Sequence, residues 1–222
     1  MQILASHLYL TCQALDLRII DLTFRAGLAG SLAGLSRAHL GAFVAPADQH
    51  ALNKLVEDSI RTRMEHTAAM DAAARMADVF WFASAAVMEF LGVAYPAKSA
   101  TANGHSFSNG HGNGTNGAAL ANLASLPSAL AAWREAGTAQ ALELLKTARD
   151  ALPDGGAAQH LGRGTRVLYQ WVRKDLGIEL RKGDVYSGGH QSPSIGKSVG
   201  VVYDALREGA GEKVIMKALA LM

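Results

Sequence analysis

"HLYLTCQALDLR" (His7–Arg18) is the stretch on which the reading of this chain turns. Leu8, Leu10, Cys12, Leu15 and Leu17 leave it almost no polar face. Only Met1 and Gln2 stand ahead of the apolar run counted from Ile3, where a helix start would place Ser, Thr, Asp or Asn. A helix that is apolar nearly all round sits inside a bundle rather than on a surface. The stretch therefore reads as the middle of a longer, buried helix, and the first helix is expected over Met1 to about Arg25.

Composition narrows the function classes. The chain has 222 residues, half of them hydrophobic and 18% charged, enough to bury a sizeable core. Its 21 basic and 19 acidic residues nearly cancel, which argues against nucleic acid or a membrane surface as partner. A lone cysteine, Cys12, excludes an internal disulfide and fits a reducing compartment. Its place on the apolar run makes it a small buried hydrophobe rather than a reactive thiol. The opening lacks the basic start and small-residue cleavage site of an export signal, and Asp16, Arg18 and Asp21 interrupt it before it reaches membrane-span length. The expected compartment is the cytoplasm.

Helical periodicity recurs along the rest of the chain. After a glycine-punctuated stretch with Leu28, Leu32, Leu35 and Leu40, "APADQHALNKLVEDSIRTRMEH" offers Asp48 as a cap. Leu52, Leu55, Val56, Ile60 and Met64 mark its inner face, and Glu57 and Arg61 form an i,i+4 pair. "DAAARMADVFWFASAAVMEFL" is a more apolar helix, closed by Gly92 and Pro96. "ATANGHSFSNGHGNGTNG" carries only Phe107 as a bulky residue, so a disordered Gly/Asn-rich loop is expected at about 97–119. "LPSALAAWREAGTAQALELLKTARDAL" resumes the helix. "TRVLYQWVRKDLG" follows, with Thr165 as cap, Val167, Leu168, Trp171, Val172 and Leu176 inward, and Gly177 as stop. "GKSVGVVYDALREG" and "EKVIMKALALM" read as short amphipathic helices. The fold class is all-α.

The candidate sites each have a plainer explanation. His105 and His111 lie in the Gly/Asn background with no carboxylate or thiol nearby, and Asn113-Gly-Thr115 matches a glycosylation acceptor without an export signal to use it. Gly196-Lys197-Ser198 resembles the end of a phosphate loop, but Gln191 stands where that loop needs its first glycine. Arg163, Arg166, Arg173, Lys174, Arg181 and Lys182, set against Asp175 and Glu179, read as the solvated, ion-paired side of a helix rather than an anion dock. No zinc motif, nucleophile elbow or Ser/His/Asp set is recognisable by spacing.

Three stretches add a resemblance. "LASHLYLTCQALDLRIIDLTF" (4–24), "RMADVFWFASAAVMEFL" (75–91) and "GTRVLYQWVRKDLGIELRKGDVYSGG" (164–189), followed by "IG" and "VYDAL", resemble in order and separation the C-terminal third of fungal phenylalanine ammonia-lyases. The resemblance implies a long-helix bundle with an inserted helical shielding domain. Residues 1–25 would end a central-bundle helix, 26–160 would form the shielding-type region, and 161–222 would return to the bundle. It implies a homotetramer in the intact enzyme, and self-association of this chain through the first helix, with Leu4, Leu8, Cys12, Leu15 and Ile19 as the uncovered stripe and Ile3, Leu10 and Leu17 extending it.

The family deaminates L-phenylalanine, sometimes L-tyrosine, to the trans-arylacrylate. Its electrophile is a methylidene-imidazolone (MIO) group cyclised from an internal Ala-Ser-Gly triad. This chain has no Ala-Ser-Gly; its nearest match is Ala83-Ser84-Ala85. The family's catalytic residues lie in segments preceding the part represented here, so no catalytic, cofactor-binding or metal residue is assigned. Tyr9, Tyr169 and Tyr203 are expected to be packing residues with hydrogen-bonded hydroxyls. A free-standing helical interaction protein derived from such an enzyme, or one half of a split lyase, are the alternative expectations.

Overall fold

A computed structural model describes residues 1–92, 124–152, 156–180 and 194–221. The Gly/Asn-rich stretch, with His105 and His111, lies outside them, as do Arg181 and Lys182. Among the described residues all regular structure is helical, so the fold is all-α: α1 (Gln2–Leu40), α2 (Gln49–His66), α3 (Ala72–Phe90), α4 (Leu126–Ala151), α5 (Arg163–Gln170), α6 (Ile195–Arg207) and α7 (Ala210–Leu219). The chain divides into two units, one of residues 1–25 and 145–222, the other of 26–144.

The first helix is longer than the sequence led us to expect. It runs through Gly27, Gly30 and Gly34 to Leu40 without a break. An isolated glycine costs a helix only about 1 kcal/mol against alanine, and here tertiary burial of Leu28, Leu32 and Leu40 outweighs it.

In the 26–144 unit, α2 and α3 fold back on one another. Leu52, Val56, Ile60 and Met64 of α2 are buried, as are Met76, Val79, Phe80, Ala83 and Val87 of α3. Trp133 of α4 is fully buried and meets Phe80 edge-on, ring centroids 5.4 Å apart. Gly137, one turn further along α4, permits this approach: a Cβ there would stand 2.2 Å from Phe80 Cε1. On the outer side, Arg63 Nε lies 2.6 Å from Asp78 Oδ2 while its guanidinium covers the Phe82 ring at 5.4 Å, and Arg134 lies over Trp81 at 4.4 Å.

Helix starts follow backbone shape rather than residue type alone. Asp71 is extended (φ −62°, ψ 157°), and its carboxylate accepts from Ala74 N at 3.0 Å. Asp48, expected to cap α2, already has near-helical angles (φ −95°, ψ −7°) at the end of a tight turn, and its side chain makes no capping bond. Thr165 is likewise not a cap. Helix α5 starts three residues earlier than that cap would set it, at Arg163, from an extended Gly162. Arg61 pairs with Asp58 at i,i+3, 2.6 Å, instead of with Glu57.

In the other unit the core joins Ala5, Tyr9 and Cys12 of α1 to Tyr169 of α5, Trp171 and Val172 just beyond it, Ala157, Ala158, Ile178, and Val202 and Leu206 of α6. Helix α7 packs on α5 and α6. Leu8, Leu15 and Ile19 pack against this core from the side and Cys12 is inside it, which corrects that part of the expected uncovered stripe. Leu4 of the stripe, and Ile3, Leu10 and Leu17 beside it, are uncovered as expected, and Leu22 joins them. Ile3, Leu10 and Leu17 recur at heptad spacing, one face away from the buried set.

The glycines of this fold separate two effects that sequence alone confounds. Gly137→Ala should lower stability by about 1–3 kcal/mol, because overpacking against the immobile Phe80 ring outweighs the better helix propensity. Gly30→Ala has nothing within 4 Å to meet, so it should instead raise stability by about 0.5–1 kcal/mol. Urea unfolding followed by tryptophan fluorescence checks both; equal shifts would contradict the packing account.

Candidate functional site

The densest polar chemistry among the described residues lies inside the core of the 1–25/145–222 unit. On α1 the buried positions run Ala5, Tyr9, Cys12, Asp16, Ile20. The carboxylate of Asp16 thus occupies a core position, with 1% of the residue exposed. Facing it are Tyr169, on the last turn of α5, and Arg173, one turn later. Helix α5 runs straight into a wide turn at Trp171–Asp175, in which Leu176 N–H donates to Trp171 O at 2.9 Å, five residues back. Gly177, at φ +62°, then reverses the chain, and Ile178 N–H reaches back to Val172 O at 3.3 Å.

Every terminal N–H of the Arg173 guanidinium is used. Nη1 donates to Ile178 O and Glu179 O, both at 3.0 Å. Nη2 donates to Asp16 Oδ2 at 2.5 Å and reaches Gln13 Oε1 at 3.5 Å. The Tyr169 hydroxyl donates to the other oxygen, Asp16 Oδ1. One carboxylate therefore ties two positions of the α5 segment to α1, and one guanidinium ties the returning strand of backbone to both.

Burial and charge set what this cluster can do. Burial, then the bond to Asp16 and its negative charge, push the Tyr169 hydroxyl well above the ordinary phenol value. Burial likewise raises the Cys12 thiol to about 11, with Arg173 pulling it down and Asp16 pushing it up. A buried protonated thiol is not a nucleophile. The Tyr169 hydroxyl, the Asp16 carboxylate and the terminal nitrogens of Arg173 are engaged with each other, with Gln13 and with backbone, and at most 3% of Tyr169, Asp16 or Arg173 is exposed. The cluster is a clamp that holds three segments together, not a reaction centre.

The residues singled out by sequence fall in several places. Arg173, read as part of a solvated basic face, is instead buried, because its partner is a carboxylate inside the core. Arg166 donates to Leu161 O at 2.9 Å, and Arg163 and Lys174 are exposed. Tyr169 has its hydroxyl bonded as expected. Tyr9 is buried at 1%, but its hydroxyl has no partner among the described residues. Lys197 and Ser198 lie in the first turn of α6, capped by Ser194, whose Oγ accepts from Lys197 N at 3.2 Å. Ala83, Ser84 and Ala85 sit mid-way along α3, Ser84 Oγ donating to Trp81 O at 2.7 Å; a helical backbone with Ala in the third place does not fit cyclisation to an MIO group. No group of three or more metal-ligating side chains occurs among the described residues. The role of Asp16 was missed, although a signal existed: it continues the spacing of the buried residues Ala5, Tyr9 and Cys12, and Tyr169 and Arg173 stand at i,i+4.

This is an all-α chain whose polar core is structural. Over almost its whole length it resembles phenylalanine ammonia-lyases in sequence and fold. It is 30% identical to the phenylalanine/tyrosine ammonia-lyase of Rhodotorula toruloides, across 98% of this chain but 27% of that protein. It is 31% identical to a phenylalanine ammonia-lyase of Strobilurus tenacellus, across 97% of this chain and 28% of that one. The crystal structure of phenylalanine ammonia-lyase from Rhodosporidium toruloides superposes with a TM-score of 0.75 at 28% identity, covering 98% of this chain and 29% of that one. The chain thus spans little more than a quarter of the curated relatives it matches. No family model matches it.

Asp16→Ala should cost about 3–5 kcal/mol, because it strands the Arg173 charge in the core. Asp16→Leu combined with Arg173→Met should recover much of that loss. Chemical denaturation of the two variants tests this, and a double variant no better than the single would argue against the clamp.

Cys12 and Tyr169 hold their protons more tightly folded than unfolded. The Cys12 contribution is therefore complete below about pH 9, the ordinary thiol value, and is lost as pH rises toward about 11, whereas that of Tyr169 is complete up to the ordinary phenol value of about 10 and fades only above it. Urea midpoints should fall over that window, and native Cys12 should react with a disulfide reagent far more slowly than the unfolded chain. A midpoint that rises with alkalinity would contradict the assignment.

Proposed function

We propose that this chain is a C-terminal portion of a phenylalanine ammonia-lyase-like enzyme. The carrying observation is the full-length likeness to proteins of which it spans only about a quarter. In this reading the intact enzyme eliminates ammonia from L-phenylalanine, and L-tyrosine as a second substrate, giving trans-cinnamate or its hydroxylated counterpart. The present residues contribute bundle packing and helical cover over the active site, in the cytoplasm. The MIO group that supplies the family's electrophile is not made here, since the chain holds no Ala-Ser-Gly and Ala83-Ser84-Ala85 is locked in helix α3. Among the described residues no helix is long and apolar enough to cross a membrane.

A homotetramer is the proposed state of the intact enzyme, and the uncovered face of α1 is the proposed means by which this chain self-associates. Ile3 is 76% exposed, Leu10 55% and Leu17 49%. Burying each against a partner is worth up to about 1.5–3 kcal/mol, and heptad spacing aligns them for a facing helix.

Purified chain incubated with L-phenylalanine or L-tyrosine should give no cinnamate or coumarate above the uncatalysed rate, read by ultraviolet absorbance. Turnover clearly above background would refute the assignment. Sedimentation over a concentration series should show association that Leu10→Asp with Leu17→Asp weakens, whereas Leu8→Asp with Leu15→Asp should mainly destabilise the fold. A monomer unaffected by the first pair would remove α1 as the interface.

A further inference from the structure

The methionines of this chain fall into two sets. Met64 of α2 and Met76 and Met88 of α3 are buried, at 2%, 1% and 7% exposure. Met216 of α7 and Met70, in the turn between α2 and α3, stand in solvent at 63% and 41%, as does Met1 at 71%. Met216 lies on the outer side of α7. That helix is held through Gly211 and Ala218, both buried, with Val214 and Ile215 partly so. Leu219, at i+3 from Met216, is exposed with it. Lys213, at i−3, is exposed too, where its ammonium can reach an oxygen placed on the sulfur. The Met70 N–H donates to Thr67 O at 3.0 Å, which fixes the backbone of the turn while the side chain stays outside.

We propose that Met216 is a site of reversible oxidation by peroxides, with Met70 as a second, and that the chain takes up these oxidising equivalents without loss of its fold. The thioether sulfur attacks one oxygen of hydrogen peroxide. The O–O bond breaks, an S–O bond forms, and the other oxygen leaves as water, so that sulfur is oxidised and peroxide reduced. A reductase supplied with a dithiol reverses the step, the dithiol closing to a disulfide and the oxygen leaving as water. The sulfoxide turns an apolar side chain polar, which disrupts a core but costs nothing on a surface already in water. Met216 makes no part of the packing that seats α7, so its oxidation changes only the outer face of that helix. Met64, Met76 and Met88 lie where the same change would break the packing of α2 on α3, and burial keeps the oxidant from them. The inference concerns these residues alone and does not rest on the lyase assignment.

The test is a time course of the full chain in dilute hydrogen peroxide, quenched with free methionine and mapped by peptide mass spectrometry, in buffer and in urea. In buffer, oxygen should be gained at Met216 first and at Met70 next. Met64, Met76 and Met88 should be at least about tenfold slower, since peroxide reaches them only through local opening. In urea all five should react alike. Met216→Gln places a polar oxygen at similar reach on a good helix former and isolates this site from the others. Its urea midpoint, followed by tryptophan fluorescence, should match that of the unmodified chain. The two methionine sulfoxide reductases, one for each epimer, should together remove the oxygen from position 216 of the folded chain. The proposal is overturned if native Met216 oxidises no faster than Met64, if Met216→Gln lowers the midpoint, or if the reductases leave the sulfoxide at 216 in place.

Discussion

The ion pair between Asp16 and Arg173 is the constraint around which the 1–25/145–222 unit is arranged. Moving a carboxylate and a guanidinium out of water costs several kcal/mol each, and attraction alone offsets that only when every remaining donor and acceptor finds a partner. Here the supporting partners are specific. Tyr169 takes the second carboxylate oxygen, and the carbonyls of Ile178 and Glu179 take the far side of the guanidinium. Those carbonyls are available because the chain leaves α5 through a wide turn and reverses at Gly177. The polar centre thus dictates the backbone around it, and the apolar core of Tyr9, Trp171, Val172 and Val202 fills what is left.

The 26–144 unit is organised on a different principle. Its centre is the contact of Phe80 with Trp133, and what fixes that contact is an absence, the missing Cβ of Gly137. Charges stay at the edge, where Arg63 uses the Phe82 ring face as well as the Asp78 carboxylate and Arg134 lies over Trp81. Apolar packing of this kind accepts rearrangement more readily than a directional polar cluster, whose bonds fix the geometry of their partners.

Helix positions were legible because apolar spacing is a local signal. The runs around Leu52–Met64, Met76–Val87 and Leu126–Leu152 lie in helices as their periodicity predicts. What a local signal cannot carry is the partner. Asp16 reads as an interruption in an apolar helix until Arg173, 157 residues away, is seen beside it. Arg173 reads as one more charge in a basic run for the same reason. Cap assignments failed at Asp48 and Thr165 because residue type does not determine backbone angles. Leu8, Cys12, Leu15 and Ile19 were expected uncovered along with Ile3, Leu4, Leu10 and Leu17, and only the latter four are, because a helix apolar all round gives periodicity little to choose with. Family likeness was legible where motifs were ordered along the chain, and it supplied a context that no side-chain spacing here contains.

The separation of the clamp's two halves along the chain has a consequence for how the molecule is made. Asp16 leaves the ribosome more than 150 residues ahead of Tyr169 and Arg173. At roughly 5–20 residues per second, α1 waits about 8–30 s for its partners. Meanwhile the 26–144 unit, continuous in sequence and rich in neighbouring-helix contacts, is free to fold first. Doing so shortens the effective loop that the ion pair must close and lowers its entropic cost. During that interval the apolar flank of α1, with Tyr9, Cys12 and Ile20, stands uncovered, and it is then that the nascent chain is most exposed to chaperones and to its own copies.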